Sequence, residues 1–308
     1  MCQLCDLKLR LNNATAAAES GLSATGPAGT TAHRATHRWS ARRGFLKLAG
    51  AAAGATLLAP AAQAQVEVGE SSRLRKLVPA DQLERAAAQQ YAQMMTEARN
   101  KRVLAPDSDA QVQRLRGMAR KLIPFTQPWN ERAQAWRWEV NLIASEQINA
   151  FCMPGGKIAF YTGILDKLKL TDDEAAMIMG HEMAHALREH ARERVAKTQA
   201  TSLTLSLGAQ LLGLGDLGNV AANLGTQLLS LKFSREDESE ADLVGLELAA
   251  RAAYLPQASV TLWEKMSAAG GGSGPGFLST HPTGPDRIRQ LQANVPKVDT
   301  LYRQAKKG

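Results

Sequence analysis

His181, Glu182 and His185 stand in the order H-E-x-x-H, a spacing that makes a metal site if the segment is helical. At 3.6 residues per turn the two histidines are an i,i+4 pair whose imidazoles project side by side, with Glu182 next to them. Two imidazoles suit Zn²⁺ and leave a coordination position for water. Zinc makes that water acidic enough for a neighbouring carboxylate to take its proton during attack on a peptide carbonyl. The chemistry expected here is metal-assisted hydrolysis with Glu182 as general base. Paired helical histidines are also common surface or core residues, so a third ligand decides the matter.

The elements around the motif are built to hold it. Thr171 followed by Glu174 is a capping box, Asp172 and Asp173 suit the positive end of a helix dipole, and Ala, Met and Ile fill the next turns. A second helix is expected from Ser234 to Ala253, where Glu236, Glu238, Glu240 and Asp242 offer carboxylates. Glu238 and Asp242 share a face, and Ala241 and Gly245 are small enough for another helix to approach. One of these carboxylates completes a two-histidine site, and Asp242 is placed to orient a ligand imidazole through its second nitrogen.

Before the motif, helices are expected from Asp81 to about Lys101 and from Asp107 to Ile123, both as packing scaffold. Ala135 to Ile143, Asn149 to Met153 and Lys157 to Tyr161 have the pattern of three strands, the last two joined by the Pro154-Gly155-Gly156 turn. Asn149, Ala150 and Phe151 are the expected substrate edge, since an extended peptide adds to a free strand through main-chain hydrogen bonds. Neither half of the apolar, Gly-punctuated stretch 202–231 approaches the roughly 20 apolar residues of a spanning helix. Two core helices are expected there, with peripheral membrane contact as the other reading.

The formal charge of +8 is uneven. Lys8, Arg10, Arg34, Arg38, Arg42, Arg43 and Lys47 oppose only Asp6 and Glu19 in the first 64 residues, so the remaining body is near balance and no nucleic-acid partner is implied. Arg42-Arg43-Gly44-Phe45-Leu46-Lys47, the apolar run after it and Ala62-Gln63-Ala64 resemble a twin-arginine export signal with its cleavage site. The expectation is therefore a periplasmic protein, soluble after cleavage near Ala64. Of Cys2, Cys5 and Cys152, only the last would remain, too few for an internal disulfide.

Taken in order, Asn149-Ala150-Phe151, Pro154-Gly155-Gly156-Lys157, Gly163-Ile164-Leu165, H-E-M-A-H, S-R-x-x-E-x-x-A-D-x-x-G and Thr280-His281-Pro282 with Arg287 resemble the zinc metallopeptidase family of HtpX and the CAAX prenyl proteases. The resemblance is strongest to the soluble periplasmic branch that includes BepA and LoiP. It implies one Zn²⁺ per chain held by His181, His185 and Glu238, Glu182 as base, and Asp242 behind a ligand. It also implies an α+β, predominantly helical, zincin-like fold with a small β-sheet beside the H-E-x-x-H helix. Residues 65–128 would form an N-terminal helical segment on a metallopeptidase domain of residues 129–308. Membrane helices like those of HtpX are missing, which argues against prenylated substrates.

His281 follows a Gly-rich stretch, 268–276, and is expected either to fill the fourth metal position in a latent enzyme or to bond the oxyanion that develops during attack. Arg287 is expected to anchor it by pairing with Glu238 or Asp242. The resulting function is an exported zinc endopeptidase acting on polypeptides, specifically misfolded or misassembled envelope proteins. The rival is a metal-stabilised chaperone or assembly factor that binds extended segments, against which an intact Glu182 speaks.

Overall fold

The computed structural model describes residues 66–198, 228, 231–269, 276–282 and 284–307, all within the unit Leu57–Gly308. The expected signal region, most of 202–231 and most of the Gly-rich stretch before Phe277 lie outside the described residues.

Helix α1 (Ala80–Asn100) buries Leu83, Ala87, Tyr91, Met95 and Ala98, a stripe at spacings of three and four. Helix α2 (Ala110–Leu122) starts where the Asp109 carboxylate accepts the amides of Gln111 and Val112, and it buries Val112, Leu115, Met118, Ala119 and Leu122. Strands β1 (Glu139–Ile143), β2 (Ala150–Met153) and β3 (Lys157–Tyr161) make one sheet in the order β1-β3-β2. The central β3 runs parallel to β1 and antiparallel to β2.

Alternation along the strands divides the core in two. Val140, Leu142, Ala150, Cys152, Ile158 and Phe160 face α2 and the metal-motif helix, and Phe151, Met153 and Ala159 face α1. Tyr91 ties α1 to the sheet by donating its hydroxyl to the Ile158 carbonyl at 2.5 Å.

The first strand is shorter than the sequence pattern predicts. Glu131–Ala135 forms a 3₁₀ turn capped by Asn130, and pairing with β3 begins only at Glu139 opposite Lys157. The tryptophans that mimic strand alternation serve the sheet's margin instead. Trp136 donates its indole N–H to Glu84, and the Trp138 ring lies where a Cβ on Gly156 would be, 2.7 Å away. Gly155 and Gly156 take φ of +83° and +76° in the β2–β3 turn, which explains both glycines.

After α3 (Thr162–Lys167) comes α4 (Asp172–Leu187), which carries the H-E-x-x-H motif and is buried from Glu174 to Leu187. Its capping box has both bonds in place, with Thr171 accepting the Glu174 amide and Glu174 accepting the Thr171 amide. The chain leaves α4 through Glu189 at φ +59° into a helical run over 190–198.

Helix α5 (Arg235–Arg251) has its own capping box between Ser234 and Asp237, and it crosses α4 where Gly180 meets Gly245. A Cβ on Gly245 would sit 2.6 Å from the His181 amide nitrogen, so only glycine permits this approach. The crossing sets the first half of α5 against the two motif histidines. Helix α6 (Ala258–Ala269), the single turn α7 (Phe277–Thr280) and α8 (Pro285–Ala305) complete the far wall. The architecture is α+β, mostly helical, with the small sheet beside the motif helix. No helix among the described residues is long and apolar enough to cross a membrane.

Candidate metal centre

His181 and His185 project from adjacent turns of α4, and Glu238 reaches them from the first turn of α5. Their Nε2 atoms lie 3.2 Å apart, and the Glu238 carboxylate oxygens are 3.5 Å from each. His281, just beyond α7, places Nδ1 2.9 Å from Glu238 Oε1 and 3.4 Å from His181 Nε2. One ligand atom from each of these four residues falls within 4.8 Å of all the others. All four side chains are buried.

The donor set fits a divalent cation, and the hydrogen bonds say why. His181 Nδ1 lies 3.0 Å from Asp242 Oδ1, so Nδ1 carries the proton and Nε2 presents a lone pair. Burial pushes His185 well below the ordinary histidine range and keeps it neutral, with neighbouring His181, His190 and His281 acting in the same direction. Two imidazole lone pairs facing each other at 3.2 Å, with a carboxylate alongside, need a positive charge between them. Two buried carboxylate oxygens, Glu182 Oε1 and Glu238 Oε2, also have no aligned hydrogen-bond donor, although Arg287 Nη1 stands 2.7 Å from the latter.

Glu182 sits 3.6 Å from His281 Nε2 through its Oε1. Burial raises its carboxyl above the ordinary value, against the lowering charges of His281 and His181. For Glu238, burial acts upward, but the hydrogen bond and charge of His281, with His181 and Arg287, carry the group below its usual range.

Asp242 anchors the surroundings. Burial would raise it, yet Arg287 and His181 hold it at about 2. Arg287 reaches over from the first turn of α8 and grips it with two hydrogen bonds, Nε to Oδ2 at 2.7 Å and Nη2 to Oδ1 at 2.8 Å. The guanidinium lies 3.6 Å over the Trp263 ring, whose indole N–H also donates to Asp242. Arg287 Nη1 donates to the Pro282 carbonyl as well, so the cation that fixes Asp242 fixes the segment bearing His281.

Sequence reasoning missed Trp263, Phe233 and His190. Phe233 stacks on His185 with centroids 4.0 Å apart, and His190 Nδ1 lies 2.9 Å from His185 Nδ1. The only signal for His190 was its place five residues after His185. The turn at Glu189 swings the imidazole back onto the ligand.

Beside the site runs the outer edge of β2, which pairs with no further strand among the described residues. Because the Tyr161 amide bonds to the Asn149 carbonyl, Asn149 and Phe151 turn their backbone groups toward β3. The groups facing outward belong to Ala150 and Cys152. This differs from the expected edge trio of Asn149, Ala150 and Phe151. The Asn149 side chain contributes by accepting the Ala150 amide at 3.0 Å, and the Cys152 amide reaches Glu182. The cleft between this edge and the ligands, about 150 Å³, is bounded by Ala150, Cys152, Glu182, His185, Phe233 and His281.

Fold and donor set together define a metallopeptidase-type protein of the zincin-like class. The description of peptidase family M48 matches residues 109–295, and the chain belongs to that family. It is similar to the mitochondrial metalloendopeptidase OMA1 of Schizosaccharomyces pombe, 41% identical over 165 residues covering 53% of this chain and 48% of that protein. OMA1 of Arabidopsis thaliana is 39% identical over 173 residues, covering 56% and 35%. The metalloprotease LoiP of Escherichia coli is 28% identical over 159 residues, covering 48% and 59%. In the two OMA1 comparisons the matched segment is half or less of the relative's length.

These relatives correct the expected localisation. OMA1 proteins of fungi, a plant and animals are named as mitochondrial, which points away from the bacterial periplasm and from twin-arginine export. The physical reason for the misreading lies in composition. A basic, Ser- and Ala-containing leader poor in acids is shared by export signals and mitochondrial transit segments, and an Arg-Arg pair by itself does not separate them.

Proposed function

We propose that the protein is a zinc-dependent endopeptidase that hydrolyses peptide bonds in polypeptides laid along the outer edge of β2. The observation that carries this reading is the convergence of His181, His185 and Glu238 beside a buried Glu182 oxygen that has no donor. When bound by those three residues, zinc supplies a Lewis acid and acidifies water.

The protein's own groups do the rest. Glu182, its basicity raised by burial, takes the proton of the attacking water and returns it to the leaving amine. The outward carbonyls of Ala150 and Cys152 accept main-chain amides of an extended substrate without regard to its side chains, their own amides being engaged by Asn149 and Glu182. Such a site favours segments that are not already folded, so misfolded or misassembled proteins are the substrate class. Asp242 and Arg287 keep His181 in the ligating tautomer.

His281 supports a second reading, latency. Its imidazole already lies within the ligand cluster, where it competes for the position that water needs. Displaced toward the cleft, the same group donates to the developing oxyanion. Peptidase rates on a quenched peptide decide between the roles. His281→Ala raises the rate if the imidazole is a plug and lowers it by about 10²-fold or more if it is an oxyanion donor. An unchanged rate would remove His281 from both.

A further inference from the structure

The two motif histidines are backed differently. Behind His181 stands a carboxylate, Asp242, the usual partner of a ligand imidazole. Behind His185 stands another imidazole, His190, with Nδ1 to Nδ1 at 2.9 Å, and behind that stands Glu240, 3.4 Å from His190 Nε2.

The proton positions along this line follow from its far end. Glu240 accepts Arg188 Nε at 2.8 Å, and the Arg188 Nη2 group also donates to the Gly69 carbonyl, so the carboxylate is pinned between α5 and the segment preceding α1. An ionised carboxylate only accepts, so His190 carries its proton on Nε2. With its Nε2 turned to Glu240 as donor, His190 presents Nδ1 to accept the Nδ1 proton of His185 at 2.9 Å. His185 is left with its lone pair on Nε2, facing His181 and Glu238.

We propose that His190 and Glu240 are positioning residues that fix the tautomer and ring orientation of His185 for metal binding, through a buried His185–His190–Glu240 relay. The geometry also explains why the chain turns at Glu189. Its φ of +59° breaks the helix after α4, and the next residue, His190, packs back against the ligand with its side chain buried. Phe233 stacks on the face of the His185 ring, so the imidazole is held by a face contact as well as by the His190 hydrogen bond. The inference rests on the metal-centre reading above, and its test is a binding measurement that does not depend on peptide hydrolysis.

The test compares His190→Leu, which fills the space without an acceptor, with His190→Asn, whose side-chain oxygen sits near the place of Nδ1. Both are made in the Glu182→Gln background to prevent self-cleavage. Zinc affinity is read by competition with a chromophoric chelator. His190→Leu should bind zinc about 10- to 100-fold more weakly, and His190→Asn should stay within about threefold of its parent. In the metal-free protein, ¹⁵N ring spectra should show His185 protonated at Nδ1 in the parent and in His190→Asn, and a tautomer mixture in His190→Leu.

Equal affinity in His190→Leu, or a larger loss in His190→Asn than in His190→Leu, would overturn the relay in favour of simple packing. If His190→Leu does not fold, His190→Asn decides alone, and a loss of about tenfold or more refutes the proposal. A parent protein that binds no zinc would overturn the metal-centre reading along with it. A zinc-binding parent with an indifferent His190 overturns only the relay.

Discussion

Glu182 and Glu238 are both buried acids within one cluster, yet their surroundings push them in opposite directions. Burial dominates at Glu182 and raises it, whereas His281, His181 and Arg287 outweigh burial at Glu238 and lower it. A raised carboxyl suits proton transfer, and a lowered one suits permanent ligation. Glu182→Gln should therefore keep metal and fold but lose about 10²- to 10⁴-fold in peptidase rate, measured on a quenched peptide alongside metal analysis. Glu238→Ala should instead release metal, and full zinc occupancy in that variant would exclude it as a ligand. Asp242 offers a pH test with a defined sign. Its folded value of about 2 lies below the ordinary 3.8, so its contribution is fully present above pH 4 and is lost as the pH falls toward 2. The metal-free Asp242→Asn variant should be less stable than wild type at neutral pH, and the gap should narrow in urea melts as the pH drops through that window.

The elements matter because ligands on α4 and α5 meet only if those helices touch. Gly180 and Gly245 allow backbone contact at the crossing, and Gly245→Ala must drive a methyl against the His181 amide. It should cost about 1–3 kcal/mol in a denaturant melt and weaken zinc binding by moving Glu238 away from the histidines. Unchanged affinity would mean that the crossing relaxes without disturbing the site. Much of this level was legible in sequence: the Thr171 capping box, the small residues Ala241 and Gly245, and the helix periods are local signals. The first strand was not legible, because Trp136 and Trp138 alternate like a strand while packing on Glu84 and Gly156, contacts distant in sequence. The outward register of β2 was hidden for a similar reason. Which residues face outward depends on pairing with β3, and pairing is a property of two strands. His190 was obscured by a single backbone angle at Glu189 that helical periodicity does not encode.

At the scale of the whole molecule, the candidate ligands come from the middle of the chain and from near its end, two side chains from α4 and one each from α5 and the segment after α7. Metal bound there would tie these separate segments through one point, and a ligand that binds only the folded state stabilises it by RT ln(1 + [L]/Kd). With free zinc at a thousand times its dissociation constant this is about 4 kcal/mol. For a folded unit of this size each kcal/mol shifts the melting temperature by roughly 2–4 °C. Stripping zinc with a chelator should thus lower the melting temperature by about 8–16 °C, and restoring zinc should recover it. The same treatment of Glu238→Ala should move the transition by only a small part of that amount, because its metal-bound state is already weakened. Glu182→Gln should behave like wild type, since it spares the ligands. A chelator shift equally large in Glu238→Ala would show that the stabilising metal lies elsewhere. A full shift in wild type that vanishes with Glu238 would place the metal, and the stability it confers, at the α4–α5 crossing.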